Sequence, residues 1–173
     1  MDEKESKRKG MSTRDVALGG VMIAVTAAMT LLVRIPIAPT RGYLNLGDAM
    51  VFFSALALGA RIGGIAGGVG SAIADILGGY AYFAPITLVV KGVEGLVAGI
   101  VGKKGTLAAM FAGTGAGGAC MLAGYFIAET LMYGVGPALV ELPANVIQVV
   151  GGLAIAIPLT IAVRKAYPGI RRR

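Results

Sequence analysis

The sequence predicts an all-α integral membrane protein, with six transmembrane helices and both termini on the cytoplasmic side. Three observations lead there. Of the 173 residues, 56% are hydrophobic and only 14% are charged, where a soluble domain carries about a quarter. The apolar residues form long continuous runs rather than the alternating strand-length segments of a β-barrel, which leaves helices as the spanning structure. The basic residues alternate in abundance from one connection to the next, the asymmetry that orients membrane helices. The 28 glycines follow no collagen period and suit helices packed closely in lipid.

Residues 1–13 read as a polar cytoplasmic tail, 14–163 as the six-helix transmembrane domain and 164–173 as a basic cytoplasmic tail. Helix 1 covers 14–33. Lys7, Arg8 and Lys9 ahead of an apolar run resemble the start of a signal peptide. The run 16–33 is 18 residues long, enough to span, and is read as a retained first helix. The connection 34–47 holds Pro36, Pro39, Gly42 and Gly47, which forbid a continuous helix. Helix 2 is expected from Asp48, as its N-terminal cap, to residue 60. It is short for a span unless residues 43–47 also lie at membrane depth. Helix 3 is expected over 62–79, helix 4 from Pro85 to 101, and helix 5 over 106–133. Gly134-Val-Gly-Pro137 should break the chain before helix 6, at 139–163.

With a cytoplasmic N-terminus, the inner segments hold Lys4, Lys7, Arg8, Lys9, Arg14, Arg61, Lys103, Lys104, Arg164, Lys165, Arg171, Arg172 and Arg173. The outer segments hold only Arg34 and Arg41. Thirteen against two supports that orientation. The net charge of +7 is thereby spent on topology, and the partner it points to is the bilayer rather than a nucleic acid. There is no histidine and a single cysteine, Cys120, so no internal disulfide, histidine-dependent metal site or Ser-His-Asp triad can form. No metal or cofactor is expected.

Charged side chains within a bilayer cost about 2.5–3.5 kcal/mol each at a helix centre, so each needs a reason. Asp75 lies in helix 3, Lys91 and Glu94 in helix 4, Glu129 in helix 5, and Asn145 and Gln148 in helix 6. At a rise of about 1.5 Å per residue, all fall roughly 6–16 Å below the outer helix ends. Glu141, Asn145 and Gln148 share one face of helix 6 by their i, i+4, i+7 spacing. Tyr43, Tyr80, Tyr82, Tyr125 and Tyr133 gather at the same outer level, with Phe83 and Phe126. They suit either an interfacial aromatic belt, which would normally occupy both interfaces, or a pocket wall. Lys91 and Glu94, at i, i+3, could neutralise each other, which leaves Asp75 and Glu129 to be met by something else. An outward-facing polar pocket closed by the loop 34–47 accounts for the whole set.

Small residues recur at intervals of four: Gly20, Ala24 and Ala28 on helix 1, Gly63/Gly67 and Gly64/Gly68 on helix 3, Gly95/Gly99 on helix 4, and Gly113/Gly117 on helix 5. Such faces bring helices close. The helix 1 face serves either internal packing or a second membrane subunit. There is no P-loop, since Gly102-Lys103-Lys104-Gly105 lacks the required spacing and hydroxyl. Neither G-x-S-x-G nor H-E-x-x-H occurs, and no inverted repeat or ion filter is visible.

The stretches Asn45-Leu-Gly-Asp48, Ser71-Ala-Ile-Ala-Asp75-Ile-Leu-Gly-Gly-Tyr80, Ala84-Pro-Ile-Thr-Leu-Val-Val-Lys91-Gly-Val-Glu94 and Glu141-Leu-Pro-Ala-Asn145-Val-Ile-Gln148 resemble the S components of energy-coupling factor transporters. The resemblance covers nearly the whole chain and is strongest over residues 45–99. It implies a small membrane protein that captures a vitamin or precursor from outside. It further implies a membrane coupling subunit and two cytoplasmic ATPases as partners, in the cell membrane. Hydrolysis would reside in those partners, and the chain itself would not be an enzyme. The S component would topple in the membrane to deliver its load.

By the same resemblance, Lys91, Glu94, Glu129 and Asn145 are candidate ligand contacts, joined by Tyr43 and Asn45 from the loop. Tyr82, Tyr125 and Gln148 complete the candidate set, and Asp75 divides evenly between a ligand and a structural role. Gly20, Ala24 and Ala28 match the small-residue docking face. The absence of histidine argues against a metal-ion substrate. The branch it resembles includes proteins for riboflavin, pyridoxine and hydroxymethylpyrimidine, and tyrosines with Lys, Glu and Asn suit a small heteroaromatic. Two further readings remain: a stand-alone transporter coupled to an ion at Asp75 or Glu129, and a membrane enzyme, for which no nucleophile–base pair is visible.

Overall fold

A computed structural model describes residues 11–170. The basic residues Lys4, Lys7, Arg8, Lys9, Arg171, Arg172 and Arg173 lie outside the described residues. Six helices are present: α1 (Thr13–Leu32), α2 (Gly47–Leu58), α3 (Ala60–Gly78), α4 (Ala84–Val101), α5 (Leu107–Tyr133) and α6 (Val135–Ala166). Between α1 and α2 the chain forms a two-stranded antiparallel hairpin, β1 (Arg34–Ile37) and β2 (Gly42–Asn45), with Arg34 opposite Asn45 and Ile37 opposite Gly42. Single 3-10 turns follow α4 at Gly102–Lys104 and α6 at Pro168–Ile170.

Local chemistry accounts for most helix ends. Ser12 caps α1 in a box with Asp15: the Ser12 hydroxyl accepts from the Asp15 amide at 3.3 Å, and Asp15 Oδ2 accepts from the Ser12 amide at 3.1 Å. Thr106 caps α5 through the Ala109 amide at 3.2 Å. Gly59, Gly79, Gly105 and Gly134 take positive φ at the breaks between helices, a region that disfavours residues with a Cβ.

Five helices are long and apolar enough to cross a membrane. The sixth, α2, has 12 residues, about 18 Å of helix against a hydrocarbon core of about 30 Å. The expected sixth span is therefore a short central helix preceded by a hairpin. Every α2 residue except Phe53 is buried, packed against α1, α3, α4 and α6. Around it, Ile76, Leu77, Val89, Ile127, Leu131 and Ile147 are exposed on the outer faces, a surface that only lipid satisfies without cost.

Two sequence expectations need correction. Asp48 does not cap α2. The helix begins one residue earlier, its cap residue Leu46 makes no side-chain bond, and the Asn45 side chain accepts from the Gly47 amide at 2.8 Å. Helix 6 begins at Val135 rather than 139. Gly134 alone breaks the chain, and Pro137 sits in the first turn, where an amide has no helical acceptor to lose.

The chain reverses at the hairpin, the turn 79–83 and Gly134, so these lie at one end of the bundle. Both described chain ends lie at the other, where Arg164 donates to the Gly105 and Leu56 carbonyls at 3.3 and 2.5 Å. Missing side chains set the helix spacing. A Cβ on Gly63 would lie 2.5 Å from Ala55 Cα, and one on Gly67 would lie 2.7 Å from the Lys91 carbonyl oxygen. Helices α2, α3 and α4 thus meet backbone to backbone.

Gly67→Leu should lower the unfolding temperature in detergent, at a cost of about 1–3 kcal/mol for overpacking. Gly115→Leu, where a Cβ meets nothing within 4 Å, should leave it within experimental scatter. Equal melting of the two variants would refute the close approach.

Candidate functional site

At the hairpin end, a small cavity of about 40 Å³ opens between the hairpin and helices α1, α3, α4, α5 and α6. Tyr43 and Asn45 from β2 line it, with Asp75, Lys91, Tyr125, Glu129, Asn145 and Gln148 from the helices. These are eight of the candidates read from the sequence.

Two candidates lie elsewhere. Tyr82 is 45% exposed. Its hydroxyl donates to the Arg41 carbonyl at 3.2 Å and its ring lies 5.0 Å from Phe83, which does face the cavity. Glu94 is fully buried behind Lys91 and is not in the wall. Glu141, Thr87 and Asp48 were not among the candidates. Glu141 shares its helical face with Asn145 and Gln148, and Thr87 sits one turn before Lys91, so periodicity marks both. Asp48 carries no such signal, because it follows a hairpin rather than a helix repeat.

The floor of the cavity is a buried ionic cluster. Lys91 Nζ donates to Asp48 Oδ1 and lies 3.0 Å from Glu94 Oε2, an ion-pair contact without hydrogen-bond alignment. Gln148 Nε2 donates to the same Asp48 oxygen at 3.0 Å, and Gln148 Oε1 accepts from the Asn45 amide at 2.8 Å. The cluster therefore ties α4, α2, α6 and β2 together. The Lys91 ammonium also lies 5.8 Å from the centre of the Tyr125 ring, within cation–π range. The Tyr125 hydroxyl donates to Thr87 Oγ1 at 3.1 Å.

The roof is the hairpin. The Tyr43 hydroxyl donates to Asp75 Oδ1 at 2.6 Å. Burial, reinforced by the Asp75 carboxylate, pushes the Tyr43 phenol above its usual value and keeps it a donor. The Tyr43 ring packs 4.6 Å from that of Tyr80 and 5.9 Å from the Arg34 guanidinium. Arg34 in turn donates to the Gly78 carbonyl at 3.1 Å. The Thr40 hydroxyl donates to Glu141 Oε2 and accepts from the Gly42 amide at 3.3 Å. Gly42 needs its missing Cβ here, because any side chain would strike the Glu141 carboxylate. The roof is thus pinned to α3 and α6 by side chains that also line the cavity.

The chemistry this arrangement supports is capture. Aromatic and polar groups converge on one cavity. Among the described residues, no group of three or more His, Cys, Asp or Glu side chains is placed to hold a metal.

The model of the family described as ECF-type riboflavin transporter, S component, matches residues 10–165. A Pyrococcus woesei protein, named only by its position in the 3' region of gap, is 44% identical over 133 residues, covering 76% of this chain and 88% of that one. A Lactococcus lactis subsp. cremoris (strain MG1363) protein named thiamine precursor transporter HmpT is 28% identical over 159 residues, covering 90% and 87%.

Lys91→Met removes one partner of a buried ion cluster and should cost about 3–5 kcal/mol. Lys91→Met with Glu94→Gln discards one stranded carboxylate and should recover part of that loss. Thermal unfolding in detergent compares them, and a double variant less stable than Lys91→Met alone would contradict the cluster.

Proposed function

Because the chain belongs to the family of ECF-type riboflavin transporter S components, we propose that the cavity beneath the hairpin takes up a small heteroaromatic vitamin or precursor from outside the cell. The chain is a substrate-capture subunit of such a vitamin transporter, a multi-pass membrane protein that works with membrane-embedded partners and is not itself an enzyme. The observation that carries the substrate reading is the convergence of Tyr43, Phe83 and Tyr125 with Lys91, Asn145 and Gln148 on one cavity. Rings supply stacking surfaces, and the polar groups supply edge recognition. The family's description names riboflavin, and the Lactococcus relative's name points to a thiamine precursor.

Orientation follows from charge. Arg14, Arg61, Lys103, Lys104, Arg164 and Lys165 lie toward the end that holds both described chain ends, while Arg34 and Arg41 lie at the hairpin end. Under the positive-inside rule the termini are cytoplasmic and the cavity opens outward, in the cell membrane. Gly20, Ala24 and Ala28 are all exposed on one face of α1, and a Cβ on Gly20 would meet nothing within 4 Å. That face serves as the docking surface for the membrane coupling subunit, and two cytoplasmic ATPases supply the energy.

Ala24→Leu with Ala28→Leu adds bulk that lipid tolerates but close helix docking does not. Purified protein should keep its vitamin affinity, and ATP-dependent uptake with the coupling module should fall at least about tenfold, the loss expected from disturbing a packed interface. Binding and uptake falling together would remove the docking role of α1. Gradient-driven uptake by the chain alone would replace the capture reading with that of a secondary transporter.

A further inference from the structure

The cavity has two chemically different walls. On one, the only cation among the described residues is already engaged: Lys91 is shared between Asp48 and Glu94 and lies against Tyr125. On the other, α3, α5 and α6 contribute Asp75, Glu129 and Glu141. Tyr43 satisfies one Asp75 oxygen and Thr40 one Glu141 oxygen. Glu129 is 1% exposed and its Oε2 has no hydrogen-bond partner, and Asp75 Oδ2 is likewise buried and unpartnered. Arg34 is engaged with Tyr43 and the Gly78 carbonyl, and Arg41 is exposed.

A buried acceptor without a donor is costly, and more so when it is charged. Two orphaned carboxylate oxygens on the wall of a cavity, with no free cation facing them among the described residues, describe a site that awaits donors. Resting on the reading of this cavity as the substrate site, we infer that its ligand presents N–H donors or a positive charge to Glu129 and Glu141, so that the cavity selects amino-bearing, nitrogen-rich rings and rejects anionic ones. Glu129 is the principal specificity determinant, because it has no protein partner to give up. Glu141 follows, because a ligand donor there competes with the Thr40 hydroxyl. Charge-assisted hydrogen bonds to these carboxylates are strong and directional. A phosphorylated ring would instead bring a like charge into a low-dielectric space.

The test uses full-length protein in detergent and calorimetric titration with three probes: an amino-substituted hydroxymethylpyrimidine, riboflavin and flavin mononucleotide. The aminopyrimidine should bind most tightly and flavin mononucleotide should not bind. Glu129→Gln preserves shape and removes the charge. It should weaken aminopyrimidine binding about ten- to a hundredfold, the range for a lost hydrogen bond to a charged group, with smaller loss in Glu141→Gln. Probe preference in the unmodified protein needs no variant, and the melting temperature of unliganded Glu129→Gln separates misfolding from lost recognition. Riboflavin binding more tightly than the aminopyrimidine, or a folded Glu129→Gln with undiminished affinity, would overturn the inference and leave vitamin capture standing. No binding of any probe would overturn both.

Discussion

Lys91 is a full positive charge buried in the middle of a membrane protein, and the structure around it is arranged to make that tolerable. Desolvating an ion costs several kcal/mol even after relaxation, and the cost is offset only when every partner is in place. Here the partners come from separate elements: Glu94 from one turn along α4, Asp48 from α2, and Gln148 of α6 on the same Asp48 oxygen. Gln148 also holds the Asn45 amide of β2. Moving any one of these elements strands a charge or a polar group in an apolar interior. The position of the hairpin over the cavity is thus bound to an ionic cluster that the ligand site uses as its floor.

Close approach of the backbones makes that cluster reachable. Asp48 meets Lys91 because α2 is surrounded on all sides and α3 lies against both α2 and α4 at glycine positions. A Cβ on Gly117 would lie 2.6 Å from the Glu94 carbonyl oxygen, so α5 presses on the same turn of α4. Small residues buy proximity that lipid-facing leucines would deny. Glycine thus makes two contributions in this chain: positive φ at the breaks between helices, and missing side chains where the polar cluster is assembled.

Much of this was legible in the sequence, for reasons particular residues make plain. The layer of Asp75, Lys91, Glu129, Asn145 and Gln148 stood out because each is an expensive residue in an apolar run, and a helix of known rise turns sequence position into depth. The hairpin was not legible. Its strands have four residues each, too few to show alternation, and their pairing depends on a reversal around Arg41, which takes a φ of 55°. Asp48 looked like a cap because caps are where aspartate usually begins a helix. Only the arrival of Lys91 from α4 and Gln148 from α6 reveals its role. Tyr82 entered the candidate site by its outer level and Glu94 by its depth and the resemblance, but neither signal says which way a side chain faces: Tyr82 turns toward Arg41, and Glu94 stands behind Lys91.

Membership of the S-component family, the cavity and the ionic floor converge on capture rather than catalysis. The most direct test of that account is native mass spectrometry of the purified protein, with the released small molecule identified after denaturation. Capture predicts one heteroaromatic vitamin or precursor per chain, retained through purification or restored by incubation with a vitamin mixture. A chain that carries no small molecule under either condition would contradict it.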